Sequence, residues 1–200
     1  MKKTASSKDI SAFEAKFEAQ KIAFAPITFQ CALSLRNTGI LKAIAEAHPE
    51  GIRVEQISEQ TGISNYGVKV LLDMGASMGL VKEEDGEFHL LKIGHFILND
   101  RMTQVNMDFT HDVCYKGMFH LEEAIREVKP AGLKELGDWS TVYEGLAELP
   151  EKLRKSWFEF DHFYSDGSFP KLLEIVFGEN KPNKLFDAGG NTGKWAMLCA

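Results

Sequence analysis

Leu80-Val81-Lys82-Glu83-Glu84-Asp85-Gly86-Glu87-Phe88-His89-Leu90-Leu91 places an Asp-Gly pair between two short strand-like runs. Asp-Gly suits a two-residue turn whose central positions both need positive φ, so the stretch predicts a hairpin, Leu80–Glu84 returning as Glu87–Leu91. Working back toward the N-terminus, Ser64 can cap a helix carrying Val68, Leu71, Leu72, Met74 and Met78, which Gly79 closes. A shorter helix from Val54 to Thr61 precedes it, with Val54 and Ile57 inward and Gly62 as its stop. Before that, the stripe Ile27, Cys31, Leu35, Ile40, Leu41, Ile44 predicts one helix from about Ile27 to Ala47. Gly39 inside it is tolerated at about 1 kcal/mol, and His48-Pro49-Glu50-Gly51 ends it. Helix, helix-turn-helix and hairpin in this order predict a winged helix over residues 28–92.

Ile10, Phe13, Phe17 and Phe24 recur at helical spacing ahead of it. Two partners remain open for this stripe, the chain's own core and a second subunit. Residues 1–9 are polar and read as a frayed tip. Beyond the hairpin the pattern is helical: Ile93, Phe96, Ile97 and Leu98 make a short helix, and Val105 to Val128 a longer one. Pro130-Ala131-Gly132 breaks the chain, Pro150 precedes a helix over Glu151–Tyr164, and Pro170 opens another ending at Gly178. A polar linker, Glu179–Asn183, leads to a strand candidate, Lys184–Ala188, a glycine-rich turn and a helix start over Lys194–Ala200.

The chain has 200 residues, 44% hydrophobic and 26% charged, which excludes wholesale disorder and rod-like repeats. No apolar run is long enough to span a membrane, and the basic tip has no apolar stretch behind it, unlike a secretory signal. Cys31, Cys114 and Cys199 are odd in number and far apart, reading as reduced thiols of a cytoplasmic protein. Twenty-three basic against 29 acidic residues give a net charge of −6. Gly51 to Leu98 carries four basic side chains (Arg53, Lys69, Lys82, Lys92) against seven acidic ones, and the wing itself is acidic. A DNA backbone would repel it, so no nucleic-acid partner is expected.

Asp187-Ala188-Gly189-Gly190-Asn191-Thr192-Gly193 joins the strand candidate to the last helix. Bare backbone above a strand's carboxyl end lets a nucleoside come close, and the next helix offers unpaired N–H groups. A P-loop is excluded because Ala188 stands at its first glycine and Trp195 at its Ser/Thr. A dinucleotide fingerprint from Gly189 fails at Asn191 and Lys194. What remains is acidic-x-Gly-x-Gly-x-Gly with Asn191 at the middle glycine. Asn is the non-glycine residue most at ease in the left-handed region.

Taken together, the helix-turn-helix with Leu71-Leu72-Asp73-Met74-Gly75-Ala76-Ser77-Met78-Gly79-Leu80-Val81, the wing ending Phe88-His89-Leu90, and the loop Phe186–Gly193 give the chain a resemblance over residues 10–200. It resembles S-adenosylmethionine-dependent small-molecule O-methyltransferases with an N-terminal winged-helix dimerisation domain. The resemblance implies a mainly α segment in three parts. These are a winged-helix dimerisation domain over 10–98, a helical linker with acceptor-pocket helices over 99–180, and the start of a Rossmann-like S-adenosylmethionine-binding domain over 181–200. It implies cofactor contacts at Asp187, Gly189, Gly190, Asn191 and Gly193, and a homodimer through the N-terminal helices and the winged helix. The family's aromatic helix before the loop corresponds to Ser156–Tyr164. There Phe158 and His162 share a face and would bind a small-molecule acceptor, His162 standing where the family usually has Met.

The implied reaction is methylation of a hydroxyl on a small aromatic molecule by in-line displacement, with the catalytic base beyond Ala200. Only one βα unit of the catalytic domain is present, so the chain reads as part of a longer enzyme and is not expected to be active alone. Alternatives are a winged-helix transcription regulator and a non-catalytic ligand-binding member of the same family. Asp108, His111 and Cys114, spaced three apart with His120 beyond, could approach a metal, or the two histidines could face the acceptor pocket. No metal is expected.

Overall fold

The computed structural model describes residues 10–179 and 181–200. The polar tip over residues 1–9 and Asn180 of the linker lie outside the described residues. The chain divides into two compact units, Met1–Asp100 and Arg101–Ala200.

The first unit comprises α1 (Ala12–Asn37), α2 (Ile40–Glu46), α3 (Val54–Thr61), α4 (Asn65–Ser77), β1 (Val81–Glu84), β2 (Glu87–Leu90) and α5 (Lys92–Asn99). Ser11 starts α1 with a capping box: its hydroxyl accepts from the Glu14 N–H, and its own N–H donates to the Glu14 carboxylate at 2.9 Å. One boundary differs from the sequence reading, which ran a helix from Ile27 through Gly39. The structure carries α1 through Pro26 and breaks at Gly39 instead. Gly39 has φ +84°, and a left-handed residue ends a helix outright. The Thr38 hydroxyl closes α1 by donating to the Ser34 carbonyl at 2.6 Å. Pro26 removes one helical N–H, and it sits in a stretch of α1 whose residues are exposed.

Leu35, Ile40, Leu41, Ile44, Ile57, Val68, Leu72 and Phe88 are fully buried and form the core of this unit. A Cβ on Gly75 would lie 3.1 Å from Leu35 Cδ1 and 3.3 Å from Val81 Cγ2, so a bare backbone lets α4 meet α1 and β1 closely. Ser64 caps α4 by accepting from the Gly67 N–H at 3.2 Å. The hairpin pairs Val81 with Leu90 and Glu84 with Glu87. Asp85 and Gly86 have φ of +52° and +81°, as the two-residue turn requires. Ile52 bridges antiparallel to Phe88 on the other edge of β2. The aromatic stripe does not reach this core: Phe13, Phe17 and Phe24 are 82%, 57% and 54% exposed. Packing on the chain's own core is therefore set aside.

The second unit comprises α6 (Arg101–Phe109), α7 (Leu121–Glu127), α8 (Val142–Gly145), α9 (Glu151–Ser165), α10 (Phe169–Phe177) and α11 (Lys194–Cys199). The single helix expected from Val105 to Val128 is not formed. After α6 the chain makes a π turn over Thr110–Cys114 and a 3-10 turn over Gly117–His120, and α7 ends at Val128 with φ +52°. Gly117 and Gly132 press together here, a Cβ on Gly132 falling 2.9 Å from the Gly117 Cα. The contact needs glycine on both sides, and it falls at the 3-10 turn, where the regular helix has already ended.

α9 is zipped to α6 and the π turn. Phe109 stacks on Phe160 with centroids 4.1 Å apart, Arg101 pairs with Glu159 at 3.0 Å, and the Tyr164 hydroxyl donates to Asn106 at 2.9 Å. Asp112, its side chain 6% exposed, accepts from Lys152 Nζ and from the buried Ser156 hydroxyl, both at 2.7 Å. The strand expected over Lys184–Ala188 is absent. Among the described residues β1 and β2 are the only strands, and a strand needs a ladder partner for its N–H and C=O groups. The βα unit expected at 181–200 is thus represented by the glycine loop and α11, and the mainly α reading stands.

Candidate functional site

Between α8, α9, α10 and the glycine loop lies a cleft of about 990 Å³. Pro150 starts α9, and the 3.6-residue period then brings Phe158 and His162 to the cleft side, one turn apart. Asp187, Gly189, Gly190 and Asn191 line the cleft; Gly193 does not, though its neighbours Thr192 and Lys194 do. Tyr143, Leu146, Trp157, Phe169, Leu172 and Trp195 make the rest of the wall largely apolar and aromatic.

The loop's backbone explains its residue types. Gly189, Asn191 and Gly193 have φ of +73°, +50° and +75°, three left-handed residues at alternate positions. Asn191 fills the middle glycine's place in the conformation Asn tolerates best. A Cβ on Gly189 or Gly193 would meet nothing within 4 Å, so space opens above both. Gly190 is bare for another reason: a Cβ there would lie 2.6 Å from Asp187 Oδ2. That oxygen is buried and has no hydrogen-bond partner. An open glycine cradle beside an unpartnered acceptor fits a ligand that brings its own donors, as a ribose or an amine does.

Side chains from α9 hold the loop. Asn191 Nδ2 donates to Asp161 Oδ2 at 3.1 Å, and Thr192 Oγ1 lies 3.1 Å from His162 Nε2. His162 Nδ1 lies 3.0 Å from Asp166 Oδ1, and Lys194 on α11 donates to the other oxygen of Asp166. The Lys194 ammonium, with His162 second, holds the Asp166 carboxyl below its ordinary value. Burial pushes the Cys114 thiol up; burial and then the Asp187 charge do the same to Cys199.

Thr192, Asp161, Asp166 and Lys194 were not singled out in the sequence. For Asp166 a signal existed, its spacing four residues after His162. Asp108, His111 and Cys114 form no ligand set. The π turn changes the register of that face, and no group of three metal-ligating side chains exists among the described residues. His111 and His120 do not line the cleft; His120 bonds Glu135 at 2.7 Å instead.

Comparison with known proteins bears on the first unit and on the fold as a whole. Residues 16–88 match the Dimerisation2-like domain. Among solved structures, the apo S-adenosylmethionine-dependent methyltransferase SibL matches with TM-score 0.65 and 19% identity, over 90% of this chain and 52% of that one. Human N-acetylserotonin methyltransferase in complex with SAM matches with TM-score 0.65 and 18% identity, over 96% and 57%. PigF with SAH matches with TM-score 0.67 and 16% identity, over 92% and 54%. The resemblance read from the sequence holds: the chain has the fold of these methyltransferases and spans about half their length. No curated protein sequence matches it.

Proposed function

We propose that this chain belongs to a methyltransferase that uses S-adenosyl-L-methionine to methylate a hydroxyl of a small aromatic molecule. The observation that carries the reading is the loop Asp187–Gly193. Three left-handed residues leave its main chain bare, open space lies over Gly189 and Gly193, and Asp187 offers an unpartnered oxygen. Asp187, Gly189, Gly190, Asn191 and Gly193 would hold the cofactor, whose sulfonium supplies an electrophilic methyl for in-line transfer. Phe158 and His162, with Trp157 and Tyr143 beside them, would wall the acceptor side and exclude water. Residues 10–98 would serve as a winged-helix dimerisation domain, 99–180 as linker and acceptor-pocket helices, and 181–200 as the start of the Rossmann-like domain. The exposed stripe of α1 would be the subunit contact, continuous with the matched dimerisation segment. Among the described residues no helix is long and apolar enough to cross a membrane, and the three free thiols suit a cytoplasmic protein.

Calorimetry with S-adenosylhomocysteine tests the reading. The protein should bind it, and Gly189→Val should abolish binding without lowering the melting temperature. No heat with the wild-type protein would overturn the proposal. A DNA-binding role is disfavoured because three of the four cations of the hairpin region face carboxylates of the same unit. Lys69 lies 2.5 Å from Asp73 and 3.6 Å from Glu83, Lys82 lies 2.6 Å from Glu84, and Arg53 lies 3.6 Å from Glu87.

A further inference from the structure

The glycine loop has little of its own to hold its shape. Lys184–Ala188 forms no ladder, and Gly189 and Gly193 have no side chains and open space around them. Its position rests on tethers to α9 and to the turn after it, through Asn191, Thr192 and Lys194. Of these, the Thr192 tether alone ends on a group whose hydrogen-bonding sense is set by a third residue. Asp166 carries a carboxylate and can only accept, so His162 Nδ1 bears the hydrogen that faces it at 3.0 Å. In the neutral ring Nε2 is then a lone pair, and the Thr192 hydroxyl donates to it at 3.1 Å. Lys194, bonded to the second oxygen of Asp166, ties the first turn of α11 to the same carboxylate.

We propose that His162 is a positioning residue, a latch that holds the glycine loop through Thr192 in the conformation that accepts a nucleoside, with Asp166 orienting its ring. This rests on the reading of the loop as an S-adenosyl cradle. It gives His162 a task toward the loop in addition to its place in the acceptor wall. It also explains why a histidine followed four residues later by Asp166 occupies this place, since an apolar side chain there could not accept from Thr192.

The test is calorimetric titration of S-adenosylhomocysteine into the wild-type protein, Thr192→Val, Thr192→Ser, His162→Ala and the double variant Thr192→Val/His162→Ala. Loss of one such hydrogen bond should weaken binding about 3- to 10-fold in Thr192→Val and in His162→Ala. Thr192→Ser keeps the hydroxyl and should bind like wild type. The double variant should bind no more weakly than the worse single one, because both remove the same bond. Imidazole nitrogen spectra should show His162 in the Nδ1–H form in wild type and in Thr192→Val alike. Wild-type affinity in Thr192→Val, failure of Thr192→Ser to restore it, or losses that multiply in the double variant would overturn the latch. No heat for the wild type refutes the cradle reading instead. The latch is then judged on amide exchange at 189–193, which must quicken equally in Thr192→Val and His162→Ala; unequal or unchanged exchange refutes it.

Discussion

At Asn191 the backbone and the tether of the glycine loop can be separated by two substitutions. Its φ of +50° lies where an ordinary L residue is strained by about 1–2 kcal/mol, a cost that Asn partly escapes and Gly wholly escapes. Its side chain also donates to Asp161 at 3.1 Å on an exposed surface, a hydrogen bond worth about 0.5–1 kcal/mol net. Asn191→Gly removes the bond and relaxes the backbone. Asn191→Ala removes the bond and adds strain that the loop can escape only by leaving its present shape, so the competent fraction falls and apparent affinity falls with it. The Gly variant should bind S-adenosylhomocysteine no more than about 5-fold more weakly than wild type, and the Ala variant about 10- to 60-fold more weakly. Titration calorimetry reads both, and the melting temperature should scarcely move because the loop is exposed. An Ala variant that binds as well as the Gly variant would refute the claim that the left-handed conformation is what the loop requires.

Other perturbations have equally definite outcomes. Lys194 and His162 hold the Asp166 carboxyl below its ordinary 3.8, so the contribution of Asp166 to folding is complete above that value. It is lost as pH falls further, through the lowered value. A carboxyl NMR titration should show Asp166 protonating at higher pH in Lys194→Met than in wild type, and an unchanged midpoint would remove Lys194 as the cause. Asp112→Ala strands the buried Ser156 hydroxyl and should cost about 1–3 kcal/mol in urea unfolding, part of which Ser156→Ala added to it should recover. A loss under about 0.5 kcal/mol, within the range of an ordinary surface substitution, would show that this buried pair does not hold α9. Phe17→Asp puts a charge in the exposed α1 stripe. It should convert a dimer to a monomer in light scattering, and a dimer that survives it unweakened would place the interface elsewhere.

How much could be read in advance depended on whether the deciding interaction was local. Asp85-Gly86 dictated the hairpin turn, Ser64 the start of α4 and Pro150 the start of α9, since each acts within four residues. The α1–α2 break was misplaced because the apolar stripe resumes beyond Gly39 with Ile40, Leu41 and Ile44, and a glycine inside a helix costs only about 1 kcal/mol. The decisive fact was the sign of φ at Gly39, which packing of Ile40 and Leu41 selects. The apolar period from Val105 to Val128 persists across Gly117, yet the α-helix gives way to a π turn at Thr110 and a 3-10 turn at Gly117, where Gly132, fifteen residues on, comes close. Lys184–Ala188 has strand-like residues and no ladder partner. In the site, Phe158 with His162 and the alternation Gly189, Asn191, Gly193 were legible as spacing. The Thr192–His162 and Asn191–Asp161 bonds span thirty residues and left no sequence trace.

The two readings of the first unit make opposite demands on the same side chains. A DNA reader needs cations free to meet phosphates, and a dimerisation module needs an apolar face with nothing of its own to cover it. Lys69, Lys82 and Arg53 each face a carboxylate of the same unit, two of them on the hairpin that would have to approach the backbone. A phosphate would have to displace those carboxylates and still face the acidic wing. Phe13, Phe17, Ile22, Phe24 and Ile27 are meanwhile each more than half exposed along the first part of α1, which no other described element of the unit covers. Removing such a stripe from water is favourable by about 25 cal/mol for each Å² covered. A second copy supplies an equal apolar face for an isologous contact at no new design. Electrostatics and burial therefore favour the same proposal independently, that the first unit holds another subunit through the exposed face of α1 rather than a DNA backbone.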